Sequence, residues 1–128
     1  MRIVPALLAC LALAACGEDD EAPAGRSLAD LTVTVDRDGE GGRPARTATV
    51  RCEGPGDSAA CRALAQLDPK VLEPTPGNVA CTQQYGGPQI ATVEGTLRGK
   101  PVDAKLSRVN GCEIARWQDA RAFLDAAK

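Results

Sequence analysis

Six cysteines in a chain of 128 residues constrain this sequence more than any other feature, and the amino terminus decides how many of them reach the folded protein. The chain begins MRIVPALLACLALAAC, with one early cation at Arg2, an apolar run from Ile3 to Ala15, and then Cys16. A short positive region followed by an apolar stretch and small residues is the pattern of a secretory signal peptide. Leu13-Ala14-Ala15-Cys16 also fits the bacterial lipoprotein version, in which small residues open the bond before a cysteine that carries the lipid. Residues 1–15 are then a signal cleaved before Cys16, and Cys10 leaves with them. An ordinary signal peptide cut nearby would remove the same segment. A membrane helix is disfavoured, because the apolar run of about fifteen residues falls short of the roughly 20 needed to span a bilayer. The expectation is an exported protein, anchored by lipid on Cys16 at the extracellular face of the cell membrane.

Four cysteines remain: Cys52, Cys61, Cys81 and Cys112. In a small exported domain an even number reads as two disulfides, and four cysteines allow three pairings. A metal site is not expected, since there is no C-x-x-C pair and no histidine to complete one, and no cofactor is indicated. The same lack of histidine removes Ser-His-Asp and Cys-His catalysis. Asp36, Asp38, Glu53, Asp57 and Asp103 lie scattered on polar faces with no converging pair, and Asp36-Arg37-Asp38-Gly39-Glu40 lacks the twelfth-position glutamate of a calcium loop. The chain is therefore not expected to be an enzyme.

The formal charge is 15 − 17 = −2, or 14 − 17 = −3 once Arg2 is removed. No nucleic-acid partner is implied by such a balance. Residues 16–27, acidic and carrying Pro and Gly, read as a solvated tether, and residues 28–128 as one domain. Aromatic residues make up 2%, so the core must be built from Val, Leu, Ile and Ala, which bury less area each than rings do.

Leu31-Thr32-Val33-Thr34-Val35 alternates with the period of a half-buried strand, and Ala48 to Cys52 suits a second strand paired back on it. Asp57 or Ser58 should cap a helix from Ala59 to Leu67. In that helix Cys61, Leu64 and Ala65, with Ala60 and Leu67, share an inward face, and Pro69 ends it. Leu72 to Asn78 (LEPTPGN) is an exposed connection leading to Val79–Tyr85 and Gly86-Gly87-Pro88. Ile90–Leu97 and Val102–Ser107 form a hairpin joined at Arg98-Gly99-Lys100-Pro101. Asn110-Gly111 turns into Cys112, and Glu113 to Lys128 repeats Ile114, Trp117, Ala120 or Arg121, and Leu124 at helical intervals. Strands with helices set to one side indicate an α+β domain on an antiparallel sheet.

The arrangement Cys52…Cys61…Cys81-Thr-Gln-Gln-Tyr85…Val93-Glu-Gly95…Arg98-Gly-Lys100…Val109-Asn110-Gly-Cys112-Glu113 resembles the subtilisin inhibitor-like family, the streptomycete type of secreted serine-protease inhibitor. The resemblance spans roughly Leu31 to Ile114. It implies an antiparallel sheet of about five strands with two helices packed on one side, and the pairing of Cys52 with Cys61 and Cys81 with Cys112. It also implies a reactive loop of Ala80, Cys81, Thr82, Gln83, Gln84 and Tyr85. Gln83 would enter the protease's primary pocket, Gln84 would lie across the scissile bond, and Asn110 would brace the loop from behind. The implied partner is an extracellular subtilisin-like serine protease, and an exposed sheet face leaves room for a homodimer.

Two positions depart from the family pattern. Thr82 stands where proline usually fixes φ, and Gly86-Gly87-Pro88 is one residue longer than usual, with two glycines that raise the entropy of the free loop. An alternative reading therefore stands beside inhibition: a non-inhibitory cell-envelope lipoprotein that uses the same scaffold as a binding or structural module.

Overall fold

The computed structural model describes residues 27–39 and 42–128. The signal segment, the proposed lipidation site Cys16 and all of the tether but Ser27 lie outside them. In chain order the elements are β1 (Ala29–Asp36), β2 (Arg46–Cys52), α1 (Ala59–Gln66), a 3-10 turn (Pro69–Leu72), β3 (Ile90–Leu97), β4 (Lys100–Leu106) and α2 (Gly111–Ala126).

The alternation in β1 does what a period of two dictates. Ala29, Leu31, Val33 and Val35 are buried, while Asp30 and Thr32 face solvent. Burial of a Leu or Val side chain is worth about 1.5–3 kcal/mol, so one strand contributes a substantial part of the core. Its neighbours repeat the pattern in register, with Leu31 opposite Val50 on one side and Val33 opposite Val93 on the other. The sheet runs β2-β1-β3-β4, antiparallel throughout. Both helices cover the apolar face, where Cys61 and Leu64 of α1 and Ala120, Phe123 and Leu124 of α2 join one cluster with the strands. The opposite face is open and rich in threonine, and the Thr34 and Thr47 hydroxyls meet across it at 3.1 Å.

The fold is thus the α+β arrangement anticipated, with four strands among the described residues instead of about five. No further strand forms between the 3-10 turn and β3, where the backbone makes only isolated hydrogen bonds, such as Val79 N–H to the Pro76 carbonyl at 3.1 Å. Other details shift. Ala65 is exposed, so the inward face of α1 is Ala60, Cys61 and Leu64, continued by Leu67. Phe123, outside the expected repeat, is the largest fully buried side chain, at 1% exposure, whereas Ile114 and Trp117 are half-buried.

Ser58, rather than Asp57, caps α1 by accepting from the Cys61 N–H. The hairpin turn is shorter than Arg98–Pro101, because Leu97 already pairs with Lys100. Its two central residues, Arg98 and Gly99, have φ of 52° and 77°, the left-handed pair that a two-residue type I′ turn requires. Gly95 in β3 sits at φ 137°, and a Cβ there would run into the Asp30 carbonyl of β1, so only glycine fits this strand crossing.

Both disulfides join the pairs that the family resemblance implied, Cys52–Cys61 and Cys81–Cys112, with Cα–Cα separations of 5.7 and 5.3 Å. Two bridges suit an oxidising, exported environment. Among the described residues no helix is long and apolar enough to cross a membrane.

Candidate functional site: a loop clamped to the start of the terminal helix

The two bridges serve different places. Cys52 and Cys61 are fully buried and pin the end of β2 to α1. Between them Asp57 accepts from the backbone N–H groups of Gly54 and Glu53 at 3.0 and 2.7 Å, bonds that hold its carboxyl below the usual aspartate range. Cys81 and Cys112 are half-buried and join the loop after the Pro/Gly-rich connection to the first turn of α2.

From Ala80 to Gly87 the chain has neither helix nor strand, and Ala80, Thr82, Gln83, Gln84 and Tyr85 are all exposed. Its ends are nonetheless held. Next to the bridge, the Gly111 N–H donates to the Thr82 carbonyl at 3.0 Å. On the far side, the Gly86 N–H donates to the Arg108 carbonyl at 2.7 Å. A disulfide and two main-chain hydrogen bonds therefore fix Cys81–Thr82 and Gly86, leaving Gln83, Gln84 and Tyr85 between the clamps.

Gly111 is suited to this contact in a way its place in the sequence does not advertise. A Cβ at this position would fall on the Thr82 hydroxyl oxygen, so a side chain here would have to displace that hydroxyl and crowd the loop against the helix start. A Cβ on Gly86 would likewise press on the Ile114 side chain at 2.8–2.9 Å.

Asn110 lies beside the loop, as expected, but its side-chain oxygen accepts from the Glu113 N–H at 3.0 Å and caps α2. Asn110-Gly111 is consequently a helix start and not a free turn, and the contact from behind the loop comes from the Gly111 main chain. Gly87, at φ 137°, lets the chain turn out of the clamp toward β3.

A second tier of contacts, absent from the sequence reading, supports the connection before the loop. Glu113 accepts from the Thr75 hydroxyl at 2.7 Å and pairs with Arg116 at 2.8 Å, both side chains being 14% exposed. Arg116 also donates to the Val71 carbonyl at 3.1 Å. One face of α2 thus holds residues 71–75 through Glu113 and Arg116 and holds Cys81–Thr82 through Cys112 and Gly111. The i, i+3 spacing of Glu113 and Arg116 is a legible signal for their own pairing. The reach to Thr75 and Val71 is not.

The large apolar side chains that remain exposed among the described residues are Val79, Tyr85 and Val109. All three lie next to the clamp points in the sequence, Val79 two residues before Cys81, Tyr85 directly before Gly86 and Val109 directly after Arg108. Exposed apolar surface gathered in one place marks an interaction site more often than isolated residues do.

No protein-family model matches the chain, and no curated protein matches it.

Proposed function

We propose that the chain is an exported, lipid-anchored inhibitor of serine endopeptidases, binding a subtilisin-like protease with residues 80–85 as a substrate-like loop. The reading starts from the resemblance to the subtilisin inhibitor-like family. The single observation that carries it is the segment Gln83–Tyr85, exposed between a disulfide-backed clamp at Cys81–Thr82 and a second clamp at Gly86. A peptide already held at both ends loses less conformational freedom on entering a cleft and can pair main chain to main chain with the enzyme. After cleavage of Gln83–Gln84, both new ends would stay tethered, which favours resealing over release. Gln83 suits a broad primary pocket and lacks the cation a trypsin-like pocket selects. In this reading the protein is not an enzyme, requires no cofactor, and is presented at the extracellular face of the membrane by lipid on Cys16.

A non-inhibitory binding role on the same scaffold is favoured by a different observation. Val79, Tyr85 and Val109, the large apolar side chains exposed among the described residues, lie next to the clamp points in the sequence, and such surface suits docking to a partner that need not be a protease.

Titrating the purified chain into subtilisin separates the two. The inhibitor reading predicts loss of activity at a stoichiometry near one to one, and transfer of inhibition toward trypsin with Gln83→Lys. A binding-module role predicts full activity throughout. Lipid anchoring has its own test: Cys16→Ser should release the protein from membranes, and continued membrane retention would argue against it.

A further inference from the structure

On the other side of the loop's second clamp lies a cleft of about 580 Å³ between the ends of β1 and β2 and one side of α2. It is lined by four guanidinium groups, Arg37, Arg46, Arg108 and Arg121, and by the Lys128 ammonium, with Asp125 as the only acidic side chain and Trp117 as the only aromatic one among the described residues. Counting the charged lining side chains gives 5 − 1 = +4, within a protein whose formal charge is −2. Like charges gathered in this way repel, and an anion between them relieves the cost.

The partners of the four groups leave that demand unmet. Arg37 and Arg121 share the single carboxylate of Asp125, at 3.9 and 3.5 Å. Arg46 donates to a neutral acceptor, the Leu124 carbonyl, at 3.1 Å. Arg108 donates to another, the Gln89 side-chain oxygen, at 3.2 Å, and its buried Nε–H has no acceptor among the described residues. Two guanidiniums therefore have no counter-charge there, and the other two divide one.

We infer that this cleft binds a phosphoryl-bearing anion, with the guanidinium groups of Arg37, Arg46, Arg108 and Arg121 around the phosphoryl oxygens and the Trp117 ring against the organic part. A guanidinium presents its donors as a planar fork that matches an oxyanion. A phosphoryl group offers three oxygens and up to two charges to several forks at once, whereas a carboxylate offers two oxygens and one charge. The cleft is also larger than a lone phosphate needs, which leaves room for the ester's remainder. This site is separate from the exposed Gln83–Tyr85 segment, so the inference does not rest on protease inhibition.

Trp117 is the only tryptophan in the chain and lines the cleft, so its fluorescence is a direct readout. The full-length chain, both disulfides intact, is titrated with pyrophosphate and with glycerol phosphate at constant ionic strength. A saturable change with a midpoint below about 1 mM is expected. Arg37 and Arg121 are largely exposed and make only long surface pairs, so the double variant Arg37→Gln/Arg121→Gln should fold as the parent does and bind about tenfold or more weakly. Arg108→Gln, with an unchanged circular dichroism spectrum, should weaken binding as well. Absence of a saturable response up to about 10 mM, or equal affinity in the parent and the double variant, would overturn the site. Equal affinity for citrate, a polycarboxylate of similar charge, would overturn the assignment to phosphoryl groups.

Discussion

Removing the outer bridge with Cys81→Ala/Cys112→Ala should cost global stability and, separately, release the loop. The sequence separation is 31. On the chain-entropy model a closed loop of that length restrains the unfolded state by about 12 cal/mol/K, or about 3.7 kcal/mol at 25 °C. The inner bridge, with a separation of 9, comes to about 2.6 kcal/mol on the same basis. Both outer cysteines are half-buried, so their truncation adds little cavity cost. A domain of this size is stable by only about 5–15 kcal/mol, and this core has a single buried ring, so a loss of about 3.7 kcal/mol moves it toward the unfolding threshold. Equilibrium urea unfolding followed by Trp117 fluorescence measures the change. The slope should also rise, because the unfolded chain without the bridge exposes more surface. In native buffer, cleavage of Gln83–Gln84 by a trace of subtilisin should quicken by more than the change in global stability explains, since one clamp is gone. A stability loss under about 1 kcal/mol together with an unchanged cleavage rate would refute the reasoning, showing that the two hydrogen bonds hold the loop without the bridge.

Three further outcomes follow from the same geometry. Gly111→Ala should gain up to about 1 kcal/mol from helix propensity, but its methyl would strike the Thr82 hydroxyl; the expected result is net destabilisation with faster loop cleavage, and a stabilised variant with unchanged cleavage would contradict the contact. Glu113→Ala removes the bonds to Thr75 and Arg116 and leaves a half-enclosed guanidinium, so unfolding should show a loss of about 2–3 kcal/mol, with faster amide exchange over residues 71–79. Asp57 has its folded pKa lowered below 3.8, first by the Gly54 N–H and then by the Glu53 N–H, so its contribution is fully present above that value and disappears as pH falls through the folded pKa. Stability of the parent and of Asp57→Asn, measured from pH 6 down to pH 2, should therefore converge at the acid end; a gap that stays constant with pH would show that the carboxylate's charge is not what holds the turn.

The strands were legible because a one-sided sheet writes itself as alternation: Leu31-Thr32-Val33-Thr34-Val35 admits one buried face. The helix α1 was legible from its cap and apolar spacing, while Ala65 was misplaced because alanine is small enough to sit on either face. Phe123 escaped notice because α2 packs through Ala120, Phe123 and Leu124, a broader stripe than the repeat beginning at Ile114. At the loop, cysteine order and the exposed residues were readable from local sequence. Gly111, Arg108 and the Thr75–Glu113–Arg116 contacts were not, since they join positions up to 45 residues apart through packing that no local spacing encodes. The arginine cleft was hidden for the same reason: Arg37, Arg46, Arg108 and Arg121 are dispersed along the chain and meet only when the ends of β1 and β2 close on α2.

The central claim is that clamps at Cys81–Thr82 and Gly86 hold Gln83–Gln84 as a bond that a protease binds but does not consume. Mass spectrometry of the chain incubated with an equimolar amount of subtilisin measures this directly. The account predicts that Gln83–Gln84 stays predominantly intact over hours while the protease remains inactive in a stable complex. Complete cleavage at Gln83–Gln84 within minutes, with protease activity restored, would contradict it.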